Sequence, residues 1–297
     1  MMAVELFALE QTFPTADDNN TEGCQYCRKT NPFVGTILGR IVDIKYKHYP
    51  IRFMNYMFLS LMLFISGQYQ SIAQSVKAKK HVLVDIAHGE KFWNDPSKMS
   101  GMDPNVIERV KYMTTEITKS ANSVNADIGY VIKKITATDL ASCNLLFIHI
   151  PSTTYSADEA KAINEYVQKG GALFIVMDAD YWSTLTGTNA NAIVAPMGIT
   201  FAGDSPDSKA GGHTTPTEIT DKRLKVTYHG ARMLSGGTPF CFNDETEQAF
   251  GVYKKVGKGK VIAMGDGMIS LYMTEWQGVK DYQCSEFMHE SFAWLLK

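Results

Sequence analysis

The stretch SADEAKAINEYVQKGGALFIVMDADYW, residues 156–182, limits the fold more than any other part of the chain. Ser156 stands three residues before Glu159, the spacing at which a serine hydroxyl caps the third helical N–H while the glutamate reaches back to the cap. Ala160, Ile163, Tyr166 and Val167 recur at intervals of three and four residues, which places them on one helical face. Gly170 or Gly171 then supplies a left-handed stop. The run ALFIVM, 172–177, has no polar alternation and reads as a strand buried on both faces. A capped helix returning directly into such a strand implies a parallel sheet covered by helices.

The same alternation runs through most of the chain from His81. HVLVDIA (81–87) reads as a first strand, and NVIERVKYMTTEITKSAN (105–122) as a helix with Val106, Val110, Met113 and Ile117 along one face. ADIGYVIKKI (126–135) and NLLFIHIP (144–151) read as second and third strands. Beyond Asp180 the regularity loosens. NANAIVAPMGITFAGD (189–204) reads as a short helix, a break at Gly198 and a strand. The Gly-, Ser-, Pro- and Thr-rich residues 203–220 read as a surface excursion. QAFGVYKKVGKGKVIAMGDG (248–267) reads as a hairpin. SEFMHESFAWLLK (285–297) reads as a closing amphipathic helix packing through Phe287, Phe292, Trp294 and Leu295. The expected class is α/β, a three-layer sandwich around a central, mostly parallel sheet.

With 297 residues, 45% of them hydrophobic, the chain buries a substantial core. Its formal net charge of -2 gives no global field for nucleic acid or an anionic membrane, and nucleic acid is not expected as a partner. Lysines gather locally at Lys77, Lys79 and Lys80 and again in KKVGKGK (254–260), read as a solvated linker and a hairpin turn. Upstream, basic Lys45, Lys47 and Arg52 precede an apolar stretch from Met57 to Ile65, followed by Ser66, Gly67, Ser71, Ile72 and Ala73. That order reads as a secretory signal peptide over 54–74, cut near Ala73 or Gln74. At about ten apolar residues the stretch is short for a bilayer span, with an uncleaved anchor and a buried helix as the competing readings. The expected location is extracytoplasmic, without a membrane span after cleavage and membrane-anchored if uncleaved.

This divides the chain into an extension at 1–53, for which Met54 is a natural start, the signal segment at 54–74 and a folded domain at 75–297. Cys24 and Cys27 have a spacing that serves zinc or redox chemistry, but the further zinc ligands and the redox strand–turn–helix setting are missing from the sequence. Cys143, Cys241 and Cys284 allow at most one disulfide, and Cys143, just before a strand, reads as a small core residue.

In an open parallel sheet ligands meet the carboxyl ends of the strands. Asp85, His88 and Glu90 follow the first strand, His149 lies in the third with Ser152 just after it, Asp178 and Asp180 follow the fourth, and Asp266 follows the late strand of the hairpin. Of these, Asp178, Asp180, Asp266 and His88 are the candidates for catalysis. Carboxylates with an imidazole can hold a divalent cation or divide acid and base roles, and equally can cap turns with no chemistry at all. Whether a metal is bound stays open. Trp93, Tyr181 and Trp182 are candidates for an aromatic rim that stacks on a sugar or anchors a protein, and Trp276 lies near the same rim. No G-x-S-x-G, G-x-G-x-x-G or phosphate-loop motif occurs in the required setting, so no cofactor is expected.

Taken together, HVLVDIAHGE, the stretch from Asn144 through Trp182, NAIVAPMGITF and GKGKVIAMGDG resemble an uncharacterised family of class I glutamine-amidotransferase-like domains. The resemblance covers most of residues 81–297 and implies a flavodoxin-like sandwich. True amidotransferases carry a cysteine on a sharp elbow after the strand matching ALFIVM and a later His-x-Glu pair. Here that elbow falls at Met177–Asp178, without a thiol, and His289 and Glu290 are adjacent. Some relatives are appended to exported bacterial hydrolases acting on unsaturated pectic or glucuronate oligosaccharides. The resemblance therefore implies an exported, non-amidase binding or accessory domain in carbohydrate processing, with a carbohydrate or protein partner. The alternative is a hydrolase or metal-dependent enzyme using the strand-end carboxylates.

Overall fold

The computed structural model describes residues 78–90, 93, 95–205, 210–267 and 271–297. The expected signal segment, the extension before it and the Cys24–Cys27 pair lie outside the described residues.

Strand β1 (Lys80–Asp85) is followed by α1 (Pro104–Ser123), β2 (Ala126–Val131), α2 (Ala137–Ala141) and β3 (Leu145–His149). Helix α3 (Ala157–Gln168) leads into β4 (Ala172–Val176), and the short helices α4 (Leu185–Thr188) and α5 (Ala190–Val194) precede β5 (Thr200–Asp204). The chain then forms β6 (Gly212–Thr214), β7 (Lys225–Val226), β8 (Arg232–Ser235), β9 (Thr238–Asn243), β10 (Ala249–Val256) and β11 (Gly259–Met264), and ends in α6 (Cys284–Leu295).

Nine of these strands make one sheet in the order β2-β1-β3-β4-β11-β10-β9-β6-β7, while β5 and β8 pair separately. Strands β2, β1, β3, β4 and β11 are mutually parallel, and the remaining four are added antiparallel. The sheet is thus mixed rather than mostly parallel. Helical crossovers give parallel pairing as far as β4, and β11 joins β4 in parallel after a short turn from antiparallel β10; β9 returns beside β6 only after β7 and β8 have intervened. The hairpin expected at 254–260 forms around Gly257, whose φ of +59° suits glycine. Part of the expected surface excursion is β6, a three-residue strand too short to show a period.

Side chains alternate across the parallel strands and define two apolar clusters. Val82, Val84, Phe147, Phe174 and Ile262 pack with Met113 and Ile117 of α1 and Phe287 and Phe292 of α6. Leu83, Leu146, Ile148, Ile175 and Ala263 pack with Leu140 of α2, Ile163 and Val167 of α3 and Ile193 of α5. Helices therefore cover both faces of the parallel strands, which is why β4 is buried at every position. Each such large side chain contributes roughly 1.5–3 kcal/mol by leaving water. The Ser156–Glu159 capping box forms as its spacing predicts, and Gly170 takes a positive φ beyond the end of α3.

Candidate functional site at the carboxyl ends of the parallel strands

The strand order reverses between β1 and β3, the place where a doubly wound sheet opens a crevice. Asp85 ends β1 there and is fully buried. Its Oδ1 accepts the N–H of Ala87 at 2.9 Å, and its Oδ2 accepts the Tyr155 hydroxyl at 2.7 Å. The same Oδ2 lies 2.7 Å from Nδ1 of His88, whose Nε2 is 3.3 Å from Oε1 of Glu159. Glu159 also accepts the N–H of Ile135 at 2.9 Å and the hydroxyl of Ser156 at 2.7 Å. Burial works to raise its pKa, but these hydrogen bonds outweigh it and hold Glu159 below the ordinary carboxylate range.

Glu90 completes the cluster in a different state. Only 6% exposed, it forms no hydrogen bond of good geometry with either carboxyl oxygen. The Asp85 carboxylate and the backbone of His149 act on it without closing such a bond. Burial first and the nearby Asp85 second push the Glu90 pKa well above its usual value, which favours the neutral acid at Glu90. Burial also presses His149 down to about 4, although its Nε2 is 3.1 Å from the carbonyl of Gly267. The loop after β3 closes over this cluster. Ser152 and Thr153 donate their N–H groups to the carbonyl of His88, and the Ser152 hydroxyl donates to the carbonyl of Gly89 at 2.6 Å. Ile150, between strand and loop, sits at φ +47°, a costly conformation for a β-branched residue.

A second group lies at the ends of β4 and β11. Asp178 accepts the N–H of Ala179 at 2.7 Å and of Gly267 at 3.1 Å, so its carboxylate ties the two strand ends together. Burial and then the nearby Asp266 raise its pKa well above the usual value. Asp266 accepts the N–H of His229 at 2.8 Å. Asp180 points the other way, pairing at 2.6 Å with the guanidinium of Arg232. That arginine is 1% exposed and also donates to the carbonyls of Asp178, Ala202 and Ser183, fastening the loop after β4 to β8.

Of the four residues expected to share chemistry, Asp178 and Asp266 are electrostatic neighbours, Asp180 belongs to the arginine clamp, and His88 is held by Asp85 and Glu159 instead. Tyr155 escaped the sequence reading because a tyrosine ahead of a capping serine carries no periodic signal, and Glu159 was legible only as a cap. Among the described residues no three His, Cys, Asp or Glu side chains form a metal-ligating group. The aromatic candidates divide as well. Trp93 is 2% exposed and packs edge-on against Phe147 and His149, so its ring belongs to the core rather than to a rim. Tyr181 is 82% exposed, with Trp182 edge-on at 4.8 Å. Trp276 packs against His229 at 5.0 Å.

The three described cysteines are free and buried, with Cys143 lying 3.5 Å from the Tyr166 hydroxyl. A groove of about 620 Å³ between α2 and α3, lined by Leu140, Cys143, Asn144 and Tyr166, opens at the opposite end of the strands.

No protein-family model matches the chain, and no curated protein matches it. Among solved structures it is similar to the mmIFT52 N-terminal domain, with 16% identity over 73% of this chain and 97% of that one and a TM-score of 0.52. It is also similar to the exo-beta-1,4-mannosidase Op5Man5 from Opitutaceae bacterium strain TAV5, at 12% identity over 71% of this chain and 35% of that one, TM-score 0.42. Cytoplasmic protein STM3548 from Salmonella typhimurium is 11% identical over 73% of this chain and 95% of that one, TM-score 0.45. The likeness to the mmIFT52 domain extends to the fold alone.

Proposed function

We propose that this chain is an exported, non-amidase binding or accessory domain on an amidotransferase-like, three-layer scaffold, and that it engages a carbohydrate in carbohydrate processing. The observation that carries the reading is Tyr181, 82% exposed at the carboxyl end of β4 beside Trp182 and Asp180. The exposed Tyr181 ring, with half-buried Trp182 edge-on to it, offers a stacking face of the kind a sugar ring uses.

The non-amidase part rests on the position after β4. Asp178 stands there with its carboxylate on two backbone N–H groups, and neither Met177 nor Asp178 takes the left-handed backbone of a sharp elbow. Burial pushes the Cys143 and Cys284 thiols up to about 11 and raises Cys241 as well, so among the described residues no cysteine is an activated thiolate for an acyl step. A glycan array probed with wild type and Trp182→Ala tests the proposal. Binding lost in the variant supports it, and equal signals discard the sugar in favour of a protein partner. Sequencing the amino terminus of the secreted protein tests export, with a mature start near Ala73 or Gln74 expected.

A second reading, a hydrolase or metal-dependent enzyme at the strand ends, is favoured by one observation, the raised Glu90 carboxyl beside Asp85 and His88. Metal titration of wild type against Asp178→Ala separates the two, since identical flat titrations leave the metal-dependent reading without support.

A further inference from the structure

Strand β2 stands at the end of the sheet, with β1 on one side of it and no strand on the other. Lys80 and Ile86 donate their N–H groups to the carbonyls of Asn125 and Val131, each at 3.0 Å, so the odd-numbered residues of β2 turn their backbone groups toward β1. The N–H and C=O groups of Ile128 and Tyr130 therefore point out of the sheet, and among the described residues none of them meets a hydrogen-bond partner. Both residues are only partly buried, which leaves the edge open to another chain. Ile132, just past the strand, is 50% exposed, and it shares with Tyr181 the distinction of a large apolar side chain standing in solvent. An unpaired edge with an exposed isoleucine beside it is a template for a further strand.

The sequence along this edge is complementary to itself. Residues 127–133 read Asp-Ile-Gly-Tyr-Val-Ile-Lys, with isoleucines at equal distances on both sides of Tyr130 and opposite charges at the two ends. An antiparallel copy centred on Tyr130 sets that ring against its own counterpart, Ile128 against Ile132 and Asp127 against Lys133. The outward N–H and C=O groups of the even-numbered residues then meet those of the copy, as the hydrogen-bonded pairs of an antiparallel ladder require. Aromatic pairs and opposite charges set directly across from one another stabilise such a ladder. A register shifted by two residues sets Lys133 against Asn125 or Gly129 and loses the charge pair. Within its own chain Asp127 faces His81 and Lys79, but its side chain is 45% exposed and keeps room for a further cation. Lys133 is exposed and, among the described residues, pairs with no acid of its own chain, whereas Lys134 beside it reaches Asp158 at 3.9 Å.

We propose that the β2 edge is a dimerisation surface whose occupant is the same edge of a second copy of this chain, paired antiparallel about Tyr130. The charge order selects this occupant. An edge that carries an acid and a base at equal distances from its centre matches itself turned end for end, the self-complementarity that a twofold interface demands. A lysine beside an open edge ordinarily blocks pairing, but here the copy supplies the carboxylate that receives it. The dimer joins two nine-stranded sheets into one and covers Ile132. A pairing this short lies at the small end of interface sizes, so the dimer forms reversibly. Strands β1 and β3 separate β2 from β4, which leaves the Tyr181 rim outside the interface.

Sedimentation velocity of the full chain over a concentration series is the test, with hydrogen exchange followed at β2 in the same samples. Wild type is expected to pass from monomer to dimer, and the amides of Ile128 and Tyr130 to exchange more slowly as the dimer forms. Lys133→Asp sets acid against acid at two symmetry-related places and is expected to weaken the dimer roughly tenfold, as is Asp127→Lys with its opposed lysines. An equimolar mixture of these two variants brings opposite charges together at both places and is expected to dimerise as wild type does. Ile132→Asp, at an exposed position, keeps the test standing if Asp127→Lys folds poorly for want of its contacts with His81 and Lys79. A wild type that stays monomeric at every concentration overturns the proposal and leaves the edge to a strand of another protein. So does a dimer that keeps its strength in Lys133→Asp and Ile132→Asp, or one that forms without slowing exchange at Ile128 and Tyr130, since either places the interface elsewhere. None of these readouts depends on glycan binding at the Tyr181 rim.

Discussion

The imidazole of His88 lies on the ring of Tyr155, centroids 3.9 Å apart and planes 24° apart, and both residues reach the same carboxylate oxygen of Asp85. The stack joins the loop after β1 to the segment entering α3, and Glu159 closes it from the far side of the imidazole. A buried carboxylate held this way relies on each donor, because water does not replace a lost one.

Tyr155→Phe keeps the ring and removes one donor to Asp85. It is expected to lower stability by about 1.5–2 kcal/mol, in the range for a hydrogen bond to a charged group, as measured by urea denaturation at neutral pH.

Glu90 gives the fold a pH dependence whose sign follows from its raised pKa. The folded protein binds the Glu90 proton more tightly than the unfolded chain, whose carboxyl titrates near 4.5. Its contribution is fully present below that value and is lost as pH rises toward the folded pKa. Glu90→Gln is expected to remove this slope and to be more stable than wild type at the upper end of the window. Urea midpoints collected across the series check it, and parallel curves for the two proteins would remove Glu90 as the cause.

Arg232→Met is expected to cost about 3–5 kcal/mol, because it strips a buried cation from Asp180 and from three backbone carbonyls. Arg232→Lys should rescue little, since one ammonium cannot reproduce the spread of the guanidinium fork. Thermal denaturation of both variants reads the difference.

Tyr181→Ala separates surface from scaffold. With the side chain in solvent, its removal should change stability by no more than about 0.5 kcal/mol. Thermal denaturation checks this, and any glycan binding found for wild type should fall in the same sample.

The strand-end clusters show where sequence reading stops. Helix α3 and strand β4 were legible because a capping box, an apolar stripe and a two-sided apolar run are local patterns, each within a few residues. Phe287, Phe292, Trp294 and Leu295 were found as core for the same reason. Asp178 was legible as a strand-end carboxylate, but its service to the N–H of Gly267 joins residues 89 apart in sequence. Trp93 looked like a rim aromatic because it follows a strand, and the ring turned into the core against Phe147.

By itself the sequence determined the order of the longer helices and the strands through β4 and the faces they bury, while the five-residue α2 escaped it. Only the tertiary structure decided that four antiparallel strands extend the sheet and that His88 answers to Asp85 and Glu159 rather than to Asp178. Periodicity and capping are set by neighbours along the chain, whereas strand order, register and the pairing of charges depend on loop closure and burial between distant segments, for which no short pattern exists.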